Sequence, residues 1–120
     1  MFLTVTEDAQ NKLLPFGNDE SVILLDMNDG VGEYSKVGVC SLDTSFRFLI
    51  LTKSQPMADY DEVLDSTVGP IPIKGYSRRY LDEAMTLELD KRLQVLKLKG
   101  EGGQIDGSVE IVDLRTADVG

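Results

Sequence analysis

Two uninterrupted apolar runs set the narrowest limits on how this chain can fold. Val22-Ile23-Leu24-Leu25 lies within residues 21–27, and Phe48-Leu49-Ile50-Leu51 lies within residues 46–52. Each run has strand length, and the first is closed off by turn formers, Gly17-Asn18-Asp19 before it and Asn28-Asp29-Gly30 after it. Neither alternates with polar residues, so both predict central strands covered on both faces rather than strands with one wet side. Covering them requires a substantial core. A chain of 120 residues buries about two-thirds of its unfolded surface on folding, which is enough. One domain over residues 1–120 is expected.

The remaining elements are shorter. Leu3-Thr4-Val5 reads as a strand. Thr6, followed by Glu7, Asp8 and Ala9, gives an N-cap with acidic residues where the helix dipole favours them, and Pro15 and Gly17 end the helix about two turns later. Ala9 and Leu13 supply its buried stripe, with Leu14 a further candidate. Residues 29–41 read as a glycine-bearing loop in which Val37 and Val39 offer an edge strand. Residues 53–70 read as a polar, acidic excursion leading to Ile71-Pro72-Ile73, whose proline allows only an edge strand or a strand start. Ser77 is placed to cap a brief helix containing Arg78, Arg79, Tyr80 and Leu81.

Residues 78–99 support two readings. Met85, Leu87 and Leu89 alternate with Thr86, Glu88 and Asp90, as in a half-buried strand, and a hairpin turning at Asp90-Lys91-Arg92 would then lead into a second strand, Leu93 to Leu98. That turn lacks the glycine or asparagine of tight hairpins. Leu81, Met85, Leu89, Leu93 and Leu96 also fall at helical spacing between Ser77 and Gly100, so one long helix competes with the hairpin. Glycines 100, 102 and 103 make a turn, and Ser108 to Leu114 alternates cleanly enough to close the sheet.

Composition removes most chemistry. The chain has no histidine and one cysteine, Cys40, so the commonest general base and the commonest transition-metal ligand are missing and no internal disulfide can form. Zinc or an iron-sulfur centre draws several thiolate or imidazole ligands from one site, and this chain offers one, unless two protomers pool their Cys40 side chains. Cys40 reads either as a small core side chain or as an accessible loop thiol. A net charge of −9 repels phosphate backbones and anionic lipid heads, which speaks against nucleic acid and membrane as partners. Met1 to Thr6 has neither a basic leader nor a signal-length apolar run, so a cytoplasmic protein is expected.

The residual motifs are weak. Asp59, Asp61, Glu62 and Asp65 lack the spacing of a calcium loop and read as a solvated acidic segment. Gly30-Val31-Gly32 and Gly100-Glu101-Gly102-Gly103 lack the strand-to-helix setting of a phosphate loop. Arg78, Arg79, Lys91 and Arg92, near Tyr76 and Tyr80, are better matched to carboxylates than to phosphate in so acidic a chain. No catalytic, cofactor-binding or metal-binding residue is assigned.

The order of elements resembles the HesB-like iron-sulfur cluster biosynthesis family, the A-type carriers, over most of the chain. Leu3 to Ala9 with the helix ending at Leu13-Leu14, the buried strand Val22 to Met27, the loop Gly30-Val-Gly-Glu-Tyr34 and the strand Phe46 to Leu51 carry the first part of the likeness. Ile71-Pro-Ile-Lys-Gly75, Ser77-Arg-Arg-Tyr-Leu-Asp82 and Met85-Thr-Leu-Glu-Leu89 carry the rest. The resemblance implies an α+β, mostly β fold, a mixed-sheet sandwich with two short helices. It also implies a non-enzymatic role in iron-sulfur cluster biosynthesis, with protein partners and a homodimer among the arrangements left open.

The departures bear on mechanism. The family places one cysteine in the loop after the first central strand and a Cys-Gly-Cys near the C-terminus. Here the loop position matches Val31, no cysteine follows Gly100, and Cys40 matches no family ligand. No metal ligand carries over, so the expectation is a scaffold without a stable cluster of its own. The alternative is a protein-interaction module using an exposed strand edge at Val37 to Val39 or Ile71 to Ile73.

Overall fold

The computed structural model describes residues 1–17, 20–27 and 45–115. The chain opens with β1 (Phe2–Val5) and α1 (Glu7–Leu13), followed by a 3-10 turn over Leu14–Phe16. Next come β2 (Ser21–Met27), β3 (Phe46–Thr52), β4 (Glu62–Ser66) and β5 (Ile71–Ile73), then a second 3-10 helix over Gly75–Tyr80. The chain ends with β6 (Ala84–Asp90), β7 (Val95–Gly100) and β8 (Gly103–Asp113). Thr6 caps α1 as the sequence requires, its hydroxyl accepting from the Ala9 N–H at 3.4 Å. Ala9 and Leu13 are buried, whereas Leu14 is turned outward.

The class is α+β, mostly β, but the sheets do not form a sandwich. Among the described residues the strands close into an eight-stranded barrel in the order β1-β4-β5-β2-β3-β8-β7-β6. Closure is achieved by β1, which runs parallel to β4 on one side and to β6 on the other, through Phe2↔Asp65 and Phe2↔Ala84 respectively. A sandwich would leave edge strands with unpaired backbone groups, and closure removes those edges. Parallel pairings between strands far apart in sequence leave no local signature, so nothing in the residues themselves signalled closure against the sandwich that the resemblance implied.

Both apolar runs are central, paired antiparallel over their full length from Ser21↔Thr52 to Met27↔Phe46. Leu25, Met27, Phe46 and Phe48 join the main core with Leu3, Ile71, Leu87 and Leu98. Leu24, Leu49 and Leu51 belong to a second cluster with Tyr60 and Leu114, packed by Val22, Met57 and Val112. The segment 53–61, expected to be a solvated excursion, thus covers the outer face of β2 and β3. Gln55 secures it, its Oε1 accepting from the Thr52 N–H at 2.7 Å and its Nε2 donating to the Leu114 carbonyl at 3.1 Å.

Residues 84–100 are a hairpin, and the long-helix alternative falls. Leu87 faces Leu98 across the pair, and Lys99 and Lys97 reach Glu88 and Asp90 at 2.5 and 3.2 Å. The turn is longer than the expected Asp90-Lys91-Arg92. The Asp90 carboxylate accepts from the N–H groups of Arg92 and Leu93, and Gln94 takes a φ of 58° in place of a glycine. Leu93, expected in the strand, lies in this turn and is 64% exposed.

Four further expectations are corrected. Glu62–Ser66 forms β4, although only Leu64 in it is fully buried. Ser77 does not cap a helix: it sits inside the second 3-10 helix, and its hydroxyl donates to the Lys74 carbonyl at 2.6 Å. Ile71–Ile73 is not an edge, because β5 lies between β4 and β2 with Ile71 and Ile73 in the barrel interior. β8 starts earlier than expected, at Gly103, and bends: it pairs with β7 through irregular register and then with β3 at Arg47↔Glu110 to Ile50↔Asp113.

Candidate functional site

The most concentrated polar chemistry lies where β2 and β5 end and β3 begins, on the outer face beneath segment 53–61. Alternation along β2 turns Leu25 and Met27 inward and Leu24 and Asp26 outward; along β3 it turns Phe46 inward and Arg47 outward. Asp26 and Arg47 are register partners, and Arg47 Nε donates to Asp26 Oδ2 at 2.8 Å. Lys74, one residue beyond β5, brings Nζ to 3.1 Å from Asp26 Oδ1 and donates to the Met27 carbonyl, also at 3.1 Å. The Tyr60 hydroxyl donates to Asp26 Oδ1 at 2.8 Å. All four side chains are buried.

Burying charges this deeply is costly unless partners satisfy them. Here one carboxylate serves two cations and a phenol, using both of its oxygens. Burial, reinforced by the adjacent Asp26 carboxylate, pushes the Tyr60 hydroxyl far above its ordinary value of 10.0. Tyr60 is therefore a fixed donor and no proton acceptor at physiological pH. The arrangement pins three strands and a covering segment, and it offers no free carboxylate for acid-base chemistry. Sequence reading passed over this cluster. The available signal was two charged residues, Asp26 and Arg47, embedded in strands already read as buried on both faces, where each must find a partner.

The second 3-10 helix grows directly from this cluster. Ser77 and its N–H both engage the Lys74 carbonyl, and the Gly75 N–H donates to Asp61 Oδ1 at 2.8 Å. Its outer side presents Tyr76 and Tyr80, 43% and 48% exposed, with Arg78 and Arg79. The expectation that basic residues meet carboxylates holds for Arg78, 3.7 Å from Glu62, and for Lys91, 3.3 Å from Asp8.

The acidic segment does not converge on a site. Asp61 serves the Gly75 backbone, Glu62 faces Arg78 and Asp65 is exposed on β4. Among the described residues no group of three or more histidine, cysteine, aspartate or glutamate side chains is arranged to hold a metal ion. Val31, Cys40, the loop Gly30 to Tyr34 and the edge candidate Val37 to Val39 lie outside the described residues.

Comparison with known proteins decides the family. The model of the iron-sulphur cluster biosynthesis family matches residues 1–113. The chain belongs to this family. Its fold is also that of a candidate Fe-S biosynthesis protein from Lactobacillus salivarius, whose crystal structure was described as a novel fold. The two are 42% identical with a TM-score of 0.89, over 96% of this chain and 99% of that one. A second candidate Fe-S biosynthesis protein, from Lactobacillus acidophilus, is 21% identical with a TM-score of 0.69, over 99% of this chain and 97% of that one, and shares the fold. No curated protein matches the chain.

Family membership raises the question of a cluster, and the donor set of this chain does not fit one. A cluster takes about four thiolate-type ligands, sometimes with imidazole in their place. One cysteine and no histidine cannot supply them. No helix among the described residues is long and apolar enough to cross a membrane.

Proposed function

We propose that this family member serves iron-sulfur cluster biosynthesis without catalysing a reaction and without holding a stable cluster by itself, acting in the cytoplasm through a protein partner. The observation that carries the reading is the donor set: a chain matched to the family over residues 1–113 has a single cysteine and no histidine. The buried cluster supports it further. Asp26 is fully engaged by Arg47, Lys74 and Tyr60, so the most polar interior position is built for rigidity rather than turnover. Even two protomers pooling Cys40 would bring two thiolates, and outside thiols would have to complete the shell.

Anaerobic incubation with iron and sulfide, followed by desalting, tests this directly. The expected product has background iron and sulfide and no charge-transfer absorption in the visible range. A band that survives desalting and disappears in Cys40→Ser would replace the proposal with a carrier that shares ligands between protomers.

A further inference from the structure

We propose that the cleft between the first half of β2 and the β4–β5 pair is the docking site of an extended, uncharged segment of a protein partner, which adds to β2 as a strand at Ile23. The inference rests on the reading that the chain works through such a partner, and it names the place and the chemistry.

The backbone decides where the strand adds. β2 is paired with β3 along its whole length, but it meets β5 through Leu25↔Ile73 alone. The Glu20 carbonyl accepts from the Lys53 N–H at 3.1 Å on the β3 side, and the Met27 carbonyl accepts from Lys74 Nζ at 3.1 Å on the β5 side. Alternation between these two fixed points turns the N–H and C=O of Ile23 toward β5. In parallel pairing a residue's groups reach the residues on either side of its partner, so the rung next to Leu25↔Ile73 would join Ile23 to Pro70 and Pro72. Proline has no N–H to give the Ile23 carbonyl, and the ladder stops there. Among the described residues, neither backbone group of Ile23 has a partner on this side.

The side chains decide what the segment carries. A cleft of 470 Å³, within the size range of binding sites, opens where the ladder stops, with Val22, Ile23, Val63, Val68, Pro70 and Pro72 among its lining residues. No lining residue is charged, although 28% of the chain is. Val63 and Val68 are 57% and 37% exposed, large apolar side chains that the fold itself leaves wet. A charged group drawn into such a lining would lose its hydration without gaining a partner, so the segment that fits is uncharged.

Backbone and lining together select the occupant. Water satisfies the Ile23 N–H and C=O but leaves the valines and prolines wet. An apolar small molecule covers those side chains but leaves the backbone pair unanswered. An extended peptide does both, offering a carbonyl and an N–H at strand spacing and every second side chain to the cleft. The open groups belong to β2, while Ile71 and Ile73 of β5 stay in the barrel interior. Little ordering is needed on the protein side, because β3 fixes β2 along its other edge.

The test is fluorescence anisotropy with a labelled, end-blocked Thr-Val-Thr-Val-Thr peptide, two counterparts N-methylated at the valines or at the threonines, and a counterpart with aspartate for the valines. The unmodified peptide is expected to bind. The aspartate peptide and at least one methylated peptide should bind about tenfold more weakly or not at all, since a blocked N–H leaves the Ile23 carbonyl unmet. Val63→Asp should weaken the unmodified peptide to the same degree, and Val68→Asp replaces it should far-ultraviolet circular dichroism show the first variant unfolded. Pro72→Val supplies the missing N–H, lets β5 take the Ile23 carbonyl and should also weaken the peptide about tenfold. Leu93→Gln, across the barrel on the β6–β7 turn, should leave it unchanged. Absence of binding, undiminished binding of both methylated peptides or of the aspartate peptide, or affinity indifferent to the cleft charge or to Pro72→Val would each overturn the proposal. So would a free chain that sediments as a dimer and becomes monomeric in Val63→Asp, which assigns the cleft to a second copy. None of these results alters the outcome of cluster reconstitution, so the docking site and the functional reading fail separately.

Discussion

Asp26 on β2 and Arg47 on β3 stand directly opposite each other, Nε to Oδ2 at 2.8 Å, with only 1% and 4% of their side chains exposed. Lys74, one residue beyond β5, shares the same carboxylate, so one aspartate ties β2 to β3 and to the end of β5. The register between β2 and β5 consists of the single pair Leu25↔Ile73, and the ion cluster reinforces that sparse seam from outside.

Asp26→Asn should therefore be among the most damaging single substitutions. It keeps the shape but removes the charge shared by two buried cations, and a buried ion pair broken from one side costs about 3–5 kcal/mol. Urea unfolding of the variant against the parent measures this. A loss within about 0.5 kcal/mol, as expected for a surface site, would show that the cluster contributes nothing to stability.

The Tyr60 hydroxyl gives the alkaline limb of stability its sign. Its value is raised in the folded state, by burial first and by Asp26 second, so the folded protein holds this proton where the unfolded chain has released it. The stabilisation is complete below the ordinary value of 10.0 and is lost as pH rises beyond it. Unfolding free energy followed from pH 8 to 11, a span of about three units around the ordinary tyrosine value, should fall at its upper end, and the fall should be shallower in Tyr60→Phe. Identical slopes in the two proteins would assign alkaline destabilisation to other groups.

Truncation in either apolar run should be costly. Leu24 and Ile50 are both fully buried, so Leu24→Ala and Ile50→Ala should each lose about 2–5 kcal/mol. Leu93→Ala, in the β6–β7 turn and 64% exposed, should stay within about 0.5 kcal/mol of the parent. Denaturant melts of the three variants check the contrast, and a mild Leu24→Ala would contradict the double burial of β2.

What the sequence by itself determined was local. Continuous apolar runs marked β2 and β3 as covered on both faces, alternation marked the second half of β8, and Thr6 followed by acidic residues marked the start of α1, because burial and capping act within a few residues, whereas the pattern of β6 served a strand and a long helix equally and its pairing with β7 decided between them. β4 was hidden because Val63 and Asp65 face solvent and only Leu64 points into the core, so its pattern resembles a polar loop. Tertiary structure alone decided three things. It closed the barrel through the parallel partners of β1, and it folded segment 53–61 over the outer face of β2 and β3. It also brought Arg47, Tyr60 and Lys74 from three separate segments to the Asp26 carboxylate. Each depends on contacts between residues distant in sequence. The energy of such contacts comes from the removal of water between elements, which local periodicity does not record.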